Sequence, residues 1–141
     1  MKQEDKDLLL TDLCGRQMYN VKCQVFDDTK PYTLSGVLHN KPYSQLYFEE
    51  LDWKEYDGFV NVEYCKPYLF PLSSMTEEII DEIYNNVGVY DINVDSSVHI
   101  EVGTKFEDLT KIFDILHKHR IDYRGLIPMG LAIDATGLNI Y

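Results

Sequence analysis

The six residues His119-Arg120-Ile121-Asp122-Tyr123-Arg124 place an imidazole, a carboxylate, a phenol and a guanidinium within one short stretch. An imidazole near a carboxylate is the pairing that general acid–base chemistry uses. A guanidinium beside them could hold an anion through paired N–H donors. His119, Asp122 and Arg124 are therefore a candidate proton-transfer or anion-binding cluster, with Tyr123 among them. A structural reading competes with that one. Asp side chains bond backbone donors in turns, so Asp122 could cap the turn after a helix, with Arg124 paired to a carboxylate and Tyr123 packed. The sequence favours the structural reading, because Gly125 and the apolar Leu126-Ile127 pair must be aimed back into a core by that turn.

A second group is aromatic. Tyr43, Tyr47, Phe48, Trp53 and Tyr56 could stack on bases or hold a peptide, but Glu49, Glu50, Asp52, Glu55 and Asp57 lie among them. Those carboxylates repel a nucleic-acid strand and suit a basic or proline-rich peptide. Tyr47, Trp53 and Tyr56 join His119, Asp122, Tyr123 and Arg124 as candidate interaction residues. Metal and nucleotide chemistry have weaker support. His117 and His119 are two apart, whereas helical ligand pairs need a spacing of three or four. There is no phosphate-binding glycine loop, G-x-S-x-G elbow or H-E-x-x-H. The expectation is no cofactor and no metal.

Charge points the same way. The chain of 141 residues carries 13 Lys+Arg against 24 Asp+Glu, a formal net charge of -11. Phosphate-backbone binding gains from cations that release counterions, so direct nucleic-acid binding is disfavoured and docking on a basic partner is favoured. Cys14, Cys23 and Cys65 are odd in number and form no C-x-x-C pair. That fits a reducing compartment, with Cys14 and Cys23 read as small core residues. No apolar run approaches the roughly 20 residues of a membrane span, and the acidic start is unlike a signal peptide. The expected location is the cytoplasm.

These residues must be positioned by an α+β framework, expected as one domain over 1–141 with a strand-rich lobe (1–72) and a helix-rich lobe (73–141). A helix over Glu4–Cys14 is expected to end at Gly15, a residue suited to a left-handed cap. Val21, Cys23 and Val25 alternate with polar residues as in a half-buried strand. A second strand, Tyr32–Leu38, contains Gly36, which marks a bulge or bend. A third covers Gln45–Glu49, and Asp57-Gly58 is a hairpin-type signal. A fourth covers Phe59–Tyr64, with Pro67 ending its ladder. The set predicts a small twisted antiparallel sheet or an SH3-like barrel with about three flanking helices. Ser74-Met75-Thr76-Glu77 reads as a capping box opening a helix with Ile79, Ile80, Ile83, Tyr84 and Val87 on its apolar face, ended by Gly88. Two strands follow around Asp95-Ser96-Ser97. Thr104-Lys105-Phe106-Glu107 then opens a helix expected to bury Phe106, Leu109, Ile112, Phe113 and Leu116. The apolar Leu126–Ile133 segment returns to the core as a short helix and a turn.

Three stretches taken together, Lys66 to Glu78, Asp122 to Ile127 and Gly130-Leu131-Ala132, resemble small uncharacterised proteins encoded by gut-anaerobe bacteria and their phages or prophages. Asp7 to Leu10 and Asp12-Leu13-Cys14 are similar to them as well. The chain departs from that group at Phe70, where an arginine is expected, and at Ile115, where a tryptophan is expected. The resemblance implies a genomic setting and no chemistry. The sequence therefore predicts a non-catalytic interaction module with an acidic, tyrosine-rich surface and an unknown host or phage protein partner. The alternatives are a nucleic-acid-mimicking or anti-defence inhibitor, and a small hydrolase acting on a nucleotide through His119, Asp122 and Arg124.

Overall fold

The computed structural model describes residues 1–40, 43–51, 57–87, 89–93, 99–102 and 106–141, with the backbone alone at 39–40, 43, 89–93, 99–102 and 106–107. Trp53 and Tyr56 lie outside the described residues, as do Gly88, the Asp95-Ser96-Ser97 turn and Thr104-Lys105.

The fold is α+β. Helix α1 (Gln3–Arg16) buries Leu9, Leu10 and Leu13. It does not stop at Gly15. It runs on through Arg16 into a single 3-10 turn, Gln17–Tyr19, and the chain reverses at Asn20, whose φ is 51°. Gly15 has a packing role instead: a Cβ there would collide with the His117 ring. Cys14 faces outward, against expectation, while Cys23 and Cys65 are buried.

Strand β1 (Lys22–Val25) has the expected alternation, with Val21, Cys23 and Val25 inward. The expected second strand is bent into two pieces. Strand β2 (Tyr32–Thr33) pairs with β1, and β3 (Gly36–Asn40) pairs with β4 (Tyr43–Tyr47). The corner is at Leu34 and Ser35, whose amides donate to Val21 O and Tyr47 O at 2.9 Å each. Asp57 and Gly58, at φ 47° and 76°, lead into β5 (Phe59–Asn61). A 3-10 turn, Val62–Tyr64, then carries the chain to β6 (Cys65–Pro71). Pro67 does not end a ladder: it sits inside β6 opposite Cys23, its missing N–H directed away from β1. The result is two sheets sharing corners, and among the described residues no pairing closes them into one barrel.

The five-stranded sheet is mixed rather than antiparallel. Besides β1 it takes β10 (Ile133–Asp134) and β9 (Ile121–Asp122), both parallel to β6. Successive strand residues direct their backbone groups to opposite edges. Leu69 O accepts from Ala135 N (2.8 Å) on one edge, and Phe70 N donates to Arg120 O (2.9 Å) on the other. Between β1 and β9 the gap is filled by a side chain. The Tyr141 hydroxyl accepts from Lys22 N (3.0 Å) and donates to Tyr68 O (2.8 Å). Burial pushes that phenol up to about 12.

Helix α2 (Glu77–Asn86) is capped by Thr76, not Ser74; the Thr76 hydroxyl accepts from Ile79 N at 3.4 Å, and Ser74 closes a 3-10 turn instead. Strands β7 (Val89–Asn93) and β8 (His99–Val102) form a separate hairpin. Helix α3 (Phe106–Lys118) buries Ile112, Ile115 and Leu116, whereas Leu109 and Phe113 are 39% and 40% exposed. The buried stripe is thus rotated from the expected one, and Phe113 lies on Tyr123 instead, ring centroids 5.1 Å apart. Residues 126–132 form turns rather than a helix, with Gly130 at φ 72°.

Two apolar clusters result. The first joins α1, both sheets, Leu126, Leu131 and Ala132. The second joins Met75 and α2 to Ile112, Ile115, Leu116 and Ile121. No described helix is long and apolar enough to cross a membrane.

Candidate functional site

The two clusters meet at a polar layer built around α1. Asp12 and Arg16 are one helical turn apart, both 0% exposed. Arg16 Nε donates to Asp12 Oδ2 at 2.6 Å and Nη2 to Oδ1 at 3.1 Å. The same Nη2 donates to Ile121 O at 2.8 Å, which ties α1 to β9. Such a pair is retained only with good geometry, because removing two charges from water is costly. Arg124 approaches from the other side, Nε lying 3.3 Å from Asp12 Oδ1. That contact is Coulombic without hydrogen-bond direction, so Arg124 Nε, like Arg16 Nη1, is buried without a hydrogen-bond partner.

His117 closes the layer. Its Nε2 is 2.9 Å from the Tyr123 hydroxyl, and its ring packs on Gly15 and against Tyr19. Burial, reinforced by the Arg16 charge, lowers its pKa to about 4. Burial also raises the Tyr123 phenol. Tyr123 lies beneath both guanidinium groups, with Arg16 Cζ at 5.6 Å and Arg124 Cζ at 5.0 Å from its ring centroid. A His–Tyr pair held neutral in this way is a weak base and a weak acid near pH 7.

Asp122 is 4% exposed. Its Oδ1 accepts from Leu126 N and its Oδ2 from Ile127 N, both at 2.8 Å. The carboxylate thus shapes the turn that returns Leu126 to the first cluster. His119 is elsewhere, its Nε2 2.7 Å from Glu82 Oε2 on α2. Bonds from Lys118 and His119 lower the Glu82 carboxyl. The three residues proposed from sequence as a reactive cluster therefore take separate partners: His119 binds α2, Asp122 binds backbone, and Arg124 binds Asp12. Asp12 and Arg16 were not singled out by spacing, although both fall on the apolar phase of α1 with Leu9 and Leu13. Two charged residues on a buried stripe are the signal that could have found them.

The solvent-facing side of β3–β4–β5 has a different make-up. The pairings Leu38↔Gln45↔Asn61 and Gly36↔Tyr47↔Phe59 give it two rungs. Leu38 and Phe59 are each 39% exposed. The Tyr47 and Phe59 rings lie 5.1 Å apart. Gly36 and Gly58 bracket Tyr47: a Cβ at Gly58 would meet its ring at 2.6 Å. Glu49, Glu50 and Asp57, which follow β4 and precede β5 in the chain, are exposed.

No protein-family model matches this chain, no curated protein is significantly similar to it, and no solved structure is. The functional reading therefore rests on geometry and charge.

Proposed function

We propose that the protein is a non-catalytic interaction module of phage or prophage type. It binds a basic segment of a host or phage protein in the cytoplasm through its acidic, tyrosine-bearing surface. The observation that carries this reading is the outer face of β3–β4–β5, where Leu38, Tyr47 and Phe59 form an apolar-aromatic platform, with exposed Glu49, Glu50 and Asp57 in the segments that follow β4 and precede β5. Aromatic centres with polar rims are the usual make-up of interfaces, and a net charge of -11 steers basic partners towards it. Resemblance to proteins of gut anaerobes and their phages supplies the setting.

The test is affinity purification from the native host, run in parallel with wild type and Leu38→Lys. A partner held by wild type and released by the added cation at the platform supports the proposal. Recovery of no partner at low and moderate salt, or equal recovery with both baits, contradicts it.

A further inference from the structure

The register of β3–β4–β5 leaves a notch in the outer face. Gly36 and Leu38 are the outward positions of β3, and Tyr47 and Gln45 stand opposite them on β4. Gly36 brings no side chain, so the space over it is walled by Tyr47 across the strands and by Leu38 along β3. The local backbone does not require this glycine. Its φ is not positive, and the bend of the chain falls earlier, at Leu34 and Ser35. A Cβ at Gly36 would lie 3.4 Å from Tyr47 Cβ and 3.8 Å from Cδ1, so no clash demands it either. A glycine inside a strand weakens it and often marks close approach of a ligand or another chain. The wall opposite Leu38 is already fixed. The Tyr47 ring leans over Gly58, where a Cβ would meet it at 2.6 Å, and packs on Phe59 with centroids 5.1 Å apart. A surface ordered in advance loses little freedom on binding.

Both rungs are uncharged: Leu38, Gln45 and Asn61 form one, Gly36, Tyr47 and Phe59 the other. Gln45 and Asn61 are partly exposed, and their side-chain amides bring N–H donors. A segment lying flat on this face would set its own backbone N–H groups against rings that cannot satisfy them. Proline has no such group. A proline-rich segment holds the polyproline II form, with carbonyls open to donors, and aromatic-lined surfaces recognise it. The charge lies at one end. Phe48 N donates to Gly58 O at 2.9 Å, one step beyond the Tyr47↔Phe59 pair, and Glu49 and Asp57 are the next residues outward, both exposed.

We propose that this notch receives a proline ring of a polyproline II segment that carries arginine or lysine at its end nearer Glu49 and Asp57. The proposal rests on the reading of this face as the docking surface for a basic segment, and it names the chemistry of that segment. The test follows backbone amide shifts of the isotope-labelled full chain during titration with short peptides. The first is proline-rich with paired arginines at one end. The second has every proline replaced by alanine, and the third keeps the prolines but carries glutamates in place of the arginines. The first peptide is expected to shift Leu38, Gln45, Tyr47 and Asn61 saturably. It should bind at least about tenfold more tightly than the alanine peptide, the scale of the chain entropy that several prolines remove in advance. It should also bind more tightly than the glutamate peptide, by a margin that shrinks as salt is added. Gly36→Val fills the notch with a residue that strands favour and should lower affinity for the first peptide about tenfold. Equal binding of the alanine peptide overturns the proline assignment and leaves the basic-segment reading standing. Equal binding of the glutamate peptide overturns both. Absence of saturable shifts overturns the proposal, and the affinity purification then decides the broader reading by itself. Full affinity in folded Gly36→Val would also overturn it. Should that variant not fold, the comparison of the peptides on the wild-type chain decides alone.

Discussion

The stretch from His117 to Arg124 and the outer face of β3–β4–β5 invert what their compositions suggest. The first is rich in groups that do chemistry, yet Asp122 binds two backbone amides, Arg124 faces Asp12, and His117 faces Tyr123. The second is built from Leu38, Gln45, Tyr47 and Phe59, with no charged group among them, and it presents apolar surface to solvent. The difference teaches that reactive side-chain types become structural when two apolar clusters must be joined across polar backbone. Most buried polar groups are hydrogen-bonded, and this stretch and α1 supply partners to one another and to the neighbouring backbone, with Arg16 Nη1 and Arg124 Nε left to charge contacts alone. The outer face of β3–β4–β5, by contrast, is surface that the core does not need.

Substitutions sharpen the contrast in order of expected effect. The largest should come from Asp12→Ala. It strands the Arg16 charge at 0% exposure and removes the carboxylate facing Arg124. Breaking one side of a buried pair costs about 3–5 kcal/mol, and chemical denaturation should show the chain close to losing its fold. A loss under about 1 kcal/mol, as for a surface pair, would mean that the polar layer does not join the clusters.

Next is the pH response of His117. Its pKa is about 4 in the fold against an ordinary 6.5. Between those values the unfolded chain takes up the proton first, so stability falls as pH drops from about 6.5 towards 4, by about 3 kcal/mol at most. The groups facing it are Arg16, Arg124, Asp12 and Asp114, with the Tyr19 and Tyr123 rings. Carboxylates with lowered values, such as Glu82 and Glu63, lose their contribution only at more acid pH. Denaturation midpoints of wild type and His117→Gln, measured from pH 7 to 5, should therefore diverge, with the slope present in wild type and reduced in the variant. Parallel curves would show that His117 is not buried neutral.

A smaller effect is expected at Tyr141→Phe. The hydroxyl supplies bonds to both Lys22 N and Tyr68 O where β1 gives way to β9. Removing it leaves those groups unpaired, at about 1–2 kcal/mol. Faster hydrogen exchange at Lys22 in the variant is the accompanying sign.

Much of the fold was legible in sequence where pattern and burial agree. Val21, Cys23 and Val25 alternate as strand, and Ile79, Ile83 and Val87 recur as helix, and all are buried. Legibility failed where a tertiary contact overrode a local signal. Gly15 carries the signature of a helix end, but its lack of a side chain makes room for His117, more than a hundred positions away. Pro67 reads as a strand breaker, but its missing donor faces away from β1. The parallel strands β9 and β10 have only two residues each, too short for any periodicity. Asp122 was legible as a cap because its partners are four and five residues on. The role of Arg120 was not legible, because Tyr19 and Tyr141, which its guanidinium reaches, join it only through the fold.

The most direct test compares Asp122→Ala with Leu38→Lys by chemical denaturation under identical conditions. Asp122→Ala removes two charge-assisted bonds to amides, Leu126 N being buried, and should cost about 2 kcal/mol. Leu38→Lys changes an exposed strand position that tolerates lysine and should stay within about 0.5 kcal/mol. A clear drop for the aspartate variant beside an unchanged midpoint for the lysine variant is the predicted result. An unchanged midpoint for Asp122→Ala, or a larger loss for Leu38→Lys, would contradict the division of the molecule into a structural polar layer and a surface left available for binding.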